Sequence, residues 1–211
     1  MNFLVGLTNT TEQSDYISFS QGTISISTIA FEGKRREGQD IVFTTNPTRS
    51  LGIHQFESYN SGTAVTHFDI PQGIYYYMAF SINMSDLDVD IEPYDLDAES
   101  VGLVITGNYT TLSGTKIPVV IAIDTFEQFK VQGQFVSGDG EITLSDTKTY
   151  TALLQVDMNY TLSPITRNTW ENAEVETNDD ALQIEISSDS NEAIYEQILF
   201  RIQKSAKITV Q

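Results

Sequence analysis

Apolar and polar residues alternate with a period of two along most of the chain. In Thr23–Phe31 (TISISTIAF), Ile24 and Ile26, and after a one-residue shift Ile29 and Phe31, occupy the apolar positions between hydroxyl side chains. This is the pattern of a strand buried on one face. The following segment, GKRREGQD, breaks it with two glycines and a cluster of charge, and Asp40–Thr44 (DIVFT) reads as a returning strand. Residues 22–45 are therefore expected to form a long hairpin with a basic tip at Lys34, Arg35 and Arg36. Further strands are expected at Ala64–Asp69, Ile74–Asn83, Val101–Thr110, Lys116–Asp124, Gln128–Val136, Gly140–Ser145 and Lys148–Asn159, most of them joined by short connectors such as IPQG, TLSGT and VSGDG. Many strands at short intervals, with no helical pattern before residue 170, predict a mainly β protein built as an antiparallel β-sandwich.

The pattern changes near the carboxyl end. In Asn191–Ser205 (NEAIYEQILFRIQKS), Ile194, Ile198 and Ile202 recur at helical spacing with Leu199 beside them, which predicts one amphipathic α-helix over about 191–205. Asp189 or Ser190 is placed to cap it. Glu192 and Glu196 near its start and Arg201, Lys204 and Lys207 near its end match the helix dipole. The expected organisation is a polar N-terminal arm over 1–15 and a single domain over 16–211 that ends with this helix.

Composition narrows the partners. Eleven basic against 29 acidic residues give a formal charge of −18, which repels nucleic-acid phosphates and disfavours anionic membrane surfaces. There is no cysteine, so disulfides, thiolate metal sites and cysteine nucleophiles are excluded together. No segment reaches the roughly 18 apolar residues of a membrane helix, and the first residues lack the basic and apolar regions of a signal peptide.

The densest chemistry lies in Ser85–Ser100, SDLDVDIEPYDLDAES, with acids at Asp86, Asp88, Asp90, Glu92, Asp95, Asp97 and Glu99. Counted from Asp86, an EF-hand would need glycine at Ile91 and a bidentate glutamate at Asp97, and Pro93 interrupts the loop. The EF-hand reading fails. Three readings remain open: a solvated acidic edge, a Ca²⁺ site improvised from Asp86, Asp88, Asp90, Glu92, Asp95 and Asp97, or a docking surface. Tyr75 and Tyr77, in GIYYYMAF, fall on the same side of an alternating strand and are candidates for a glycan platform, or for ordinary strand packing. His54 and His67 could both lie near Asp69, although nothing here has metal-motif spacing. The chain has no Gly-x-Ser-x-Gly elbow, His-Glu-x-x-His helix or phosphate-cradling loop, so no catalytic residue is assigned.

The order of segments, with FDIPQGIYYYMAFSI, VGLVITGNYT and IPVVIAIDTFEQFKV followed by a late stretch from Trp170 to Tyr195 before a helix, resembles a group of Gram-negative bacterial envelope lipoproteins of unknown function. The resemblance implies a transthyretin-like or immunoglobulin-like sandwich, export to the periplasm or cell surface, and a lipid anchor on a cysteine that this chain does not contain. The expected function is a non-enzymatic binding or adhesion module with a protein or glycan ligand. The alternatives are a fimbrillin-like subunit that self-associates by strand addition, with the N-terminal arm or Lys207–Gln211 as the exchanged piece, and a carbohydrate-binding protein. No cofactor is expected apart from the Ca²⁺ considered above.

Overall fold

The computed structural model describes residues 1–8, 15–46, 50–57, 62–87, 100–125, 127–136, 140–178 and 181–211. Strand β2, Ile17–Arg35, is its longest element. The one-residue shift in the apolar pattern corresponds to a bulge: Ile26 pairs with Met84 and Thr28 with Asn83, leaving Ser27 as the extra residue. Ser27 Oγ donates to the carbonyl oxygens of Asn83 and Met84 at 3.1 and 3.2 Å. Ile24, Ile26, Ile29 and Phe31 are all buried.

Along β2, β3 (Ile41–Thr44) pairs with Ala30–Gly33, as the hairpin reading predicts, and β4 (Gly52–Glu57) pairs with Gln21–Ile26. The partners on its other edge are β6 (Gly73–Met84) and β7 (Val101–Thr110). Outward from β7 come β8 (Lys116–Asp124), β13 (Ala181–Ile186) and β12 (Glu176–Asn178). Outward from β6 come β9 (Gln128–Phe135), β14 (Lys207–Val210), β11 (Thr151–Asp157), β1 (Asn2–Thr8) and β5 (Thr63–His67), with β10 (Ile142–Leu144) on the first residues of β6. The result is one curled, mixed sheet forming a half-barrel. Its β5 end returns beside β4, where Thr63 Oγ1 donates to the Gln55 carbonyl at 2.7 Å.

Mainly β is the fold class, but the expectation of a purely antiparallel sandwich is corrected. The pairs β1/β11, β8/β13 and β9/β14 are parallel. Parallel neighbours need long crossover connections, and here the chain passes α3 (Glu192–Ser205) immediately before β14. Alternation reveals which residues are strands, whereas the partner of each strand depends on these crossovers.

The expected N-terminal arm is also corrected. Residues Asn2–Thr8 are β1, held between β11 and β5, with Phe3, Val5 and Leu7 buried. An aromatic cluster of Phe3, Phe31, Phe43, Phe68 and Phe80, with ring centroids 5.2–6.3 Å apart, joins β1, β2, β3, β6 and the residue after β5. Further inside, Val5, Ile24, Phe56, Leu103, Phe129 and Leu154 leave a gap of only about 10 Å³. The interior of the curl is packed core at that level, with no room for a ligand.

α3 buries Ile194, Ile198 and Ile202, the stripe read from the sequence, together with Tyr195. Its N-cap is Asn191 in the left-handed region (φ 54°), rather than Asp189 or Ser190. The Asn191 amide instead ties neighbouring backbone together, donating to the carbonyls of Glu174 and Glu185 and accepting from Glu174 N. Two short helices were not legible: α1 (Met158–Leu162), capped by Asp157, which accepts from Tyr160 N, and α2 (Arg167–Glu171), capped by Thr166. α2 seats Trp170 against Tyr109 of β7, with ring centroids 6.0 Å apart.

Candidate functional site

The connection from β5 to β6 and the connection from β10 to β11 meet at one end of the sheet. Between them lies a cleft of about 470 Å³. β5 must end near Phe68 because that ring belongs to the aromatic cluster and is buried. Its backbone is tied to β1, with Phe68 N donating to Met1 O and Met1 N donating to Phe68 O, at 2.8 and 2.7 Å. On the other side, Tyr150 orients the turn after β10. Its hydroxyl donates to Thr143 O at 2.8 Å and accepts from Ser145 N at 3.1 Å.

The floor is apolar and the rim is charged. Phe68, Ile70, Pro71 and Leu144 line the first, and His67, Asp69, Asp146 and Lys148 the second. His67 Nδ1 lies 3.0 Å from Asn2 Oδ1, and an amide oxygen only accepts, so Nδ1 carries the proton. Nε2 then faces Asp69 Oδ1 at 3.4 Å. In the neutral ring that nitrogen is an acceptor, so protonation is needed to make this contact an ion pair. A pocket with these features can hold a group having one apolar face and one charged or hydroxyl-rich edge.

The residues singled out from the sequence are distributed differently. Asp69 and His67 come together, while His54 lies on β4, where Nε2 donates to Leu51 O at 3.1 Å and burial pushes its pKa down. Of the six carboxylates considered for calcium, Asp86 is described and exposed, and Asp88, Asp90, Glu92, Asp95 and Asp97 lie outside the described residues. Leu87, next to Asp86, packs against Val101, Val104, Val120 and Ala122 on the face of β7 and β8 away from the main core. Among the described residues, no group of three or more histidines or carboxylates is placed to hold a metal.

The tyrosine pair is separated by a second bulge. Lys34 pairs with Tyr77 and Arg35 with Tyr75, so Tyr76 is the extra residue and alternation is broken between its neighbours. Tyr75 is fully buried and its hydroxyl donates to Pro71 O at 2.7 Å. Desolvation raises its pKa, with Arg35 pulling it back. Tyr75 therefore offers no ring face to a sugar, whereas Tyr77 is half-buried with Lys34 Nζ 5.1 Å from its ring centre, and Tyr76 is 49% exposed.

Lys148, Asp146 and Tyr150 are the cleft residues that sequence reasoning missed. They sit in a turn-rich stretch, SDTKTY, with no motif to set them apart. Comparison with family models, curated proteins and solved structures finds no match for the chain.

Proposed function

We infer that the protein is a non-enzymatic binding module of the bacterial cell surface or periplasm, and that its ligand occupies the cleft between the β5–β6 and β10–β11 connections. The observation that carries this reading is the cleft itself: its volume of about 470 Å³ falls within the range of small-ligand sites, and an apolar floor lies beneath a charged rim. Envelope location rests on the resemblance of the strand motifs. The ligand class is a glycan or a short peptide, either of which presents an apolar face beside polar groups.

The test is a glycan and peptide array probed with the wild type and with the Asp69→Ala/Lys148→Ala double variant, whose altered side chains are on the rim and not in the core. A ligand whose signal disappears in the variant supports the assignment. Binding that is unchanged moves the site elsewhere, and no binder at all removes the reading. Strand exchange is the weaker alternative, because both segments expected to be exchanged contribute interior strands: β1 lies between β11 and β5, and β14 between β9 and β11.

A further inference from the structure

Cations and aromatic rings are set together at several places on this strongly acidic chain, Lys34 and Tyr77 among them, and two such pairs lie side by side at the end of α3. At the C-terminal end of α3, Phe200 is 67% exposed on a helix face that is otherwise polar, and Lys204 Nζ lies 3.6 Å from its ring centre. One residue further along α3 from Phe200, the Arg201 guanidinium lies 4.1 Å from the ring centre of Tyr160, which is 44% exposed on α1. Lys207 follows at the start of β14, and its nearest carboxylate is Asp157 at 4.0 Å. Among the described residues, neither Arg201 nor Lys204 has a carboxylate within ion-pair distance. Three of the chain's 11 basic residues thus fall within seven positions, facing outward from a body with 29 acids.

Packing within the chain accounts for Arg201, which ties α3 to the end of α1, but not for the exposed Phe200 and Lys204. The apolar stripe of α3 points the other way, into the core, and Arg201 is held in place by donating to Tyr160 O and Ser163 Oγ, both at 2.8 Å. The cations lie over the rings, so the surface offers a cationic, partly apolar plane rather than a protruding wedge. Such a plane suits carboxylates on a segment lying flat across it. We propose that this face of α3 and α1 is a docking surface for an acidic polypeptide segment, independent of the cleft, which lies beyond the opposite end of β11. Charge complementarity selects that partner. An extended anionic surface would bring its charge against the whole body of −18, whereas a short segment meets only the local field, since screening limits it to roughly 8 Å at physiological ionic strength.

The test is an NMR titration of the ¹⁵N-labelled full chain with a synthetic ten-residue peptide alternating Asp and Ser, and in parallel with phosphatidylglycerol vesicles. Saturable shifts confined to Tyr160 and residues 200–207 are expected with the peptide, at least tenfold weaker in Lys204→Glu and in Phe200→Ser, and reduced by added salt. Both variants change exposed side chains, and an unchanged remainder of the spectrum shows that they fold. No shift at millimolar peptide, shifts that persist in Lys204→Glu, or a response to vesicles but not to peptide would each overturn the proposal.

Discussion

Tyr109, at the end of β7, donates its hydroxyl to Glu171 Oε1 at 2.7 Å, and the same oxygen accepts from Leu112 N at 2.6 Å. One carboxylate thus fastens α2 to the turn between β7 and β8. Burial, reinforced by the bond to Glu171, pushes the Tyr109 hydroxyl up to about 12, while the bond from Tyr109 and then that from Leu112 hold Glu171 below the ordinary carboxylate value.

Because the Glu171 pKa is lower in the folded state, its contribution is present above the unfolded value and is lost as pH falls through the folded one. Glu171→Gln should therefore lower Tm at neutral pH and lose less on acidification. The two melting curves should converge between about pH 5 and pH 2. A constant gap across that range, measured by circular dichroism, would show that the carboxylate's charge does not matter.

His54 gives a linkage of the same sign in a higher pH window. Burial favours its neutral form, so the unfolded chain binds more protons in the window just below the ordinary value of 6.5, and stability falls as pH drops through it. His54→Gln should flatten the slope of unfolding free energy against pH between about 7 and 5. Urea titrations at several pH values provide the measurement.

Gly107 faces a steric limit. A Cβ at this position would stand 2.0 Å from Ser18 O and 2.8 Å from the Phe19 ring, where β2 shifts register against β7. Gly107→Ala should force the two strands apart, lowering Tm sharply or preventing folding. Gly6→Ala, where the nearest atom lies at 3.6 Å, should be tolerated. Equal effects in the two variants would contradict the packing at the bulge.

Phe3 tests whether the first residues belong to the core. Its ring is fully buried between Phe68 and Phe80, and Phe3→Ala should cost about 3–5 kcal/mol in urea unfolding. A loose N-terminal arm would lose almost nothing.

Much of the fold was legible because alternation is a local signal. Ile24, Ile26, Ile29 and Phe31 indicate the apolar face of β2 and the one-residue shift that the bulge at Ser27 explains, although Thr23, Ser25 and Thr28 are buried too, and Ile194, Ile198 and Ile202 give the stripe of α3. Phe3, Val5 and Leu7 carried the same signal, but it was masked by the polar TNTTEQSD that follows. The cleft was not legible, since Lys148 and Tyr150 approach Phe68 and Asp69 only through sheet pairings between distant segments. Tyr75 and Tyr77 show the limit of simple alternation, because one extra residue between them changes which face each occupies.

The two outermost described strands of the chain, β1 and β14, lie on either side of β11, so Thr151–Asp157 is completed by partners from opposite ends of the sequence. Such pairing makes assembly strongly non-local. Loop-closure entropy must be met before most of the sheet's contacts form, which favours slow folding, and until β14 is in place the facing edges of β9 and β11 are both unpaired. During synthesis that gap persists until residues 207–210 leave the ribosome, and over this interval the chain is most exposed to pairing with a neighbour.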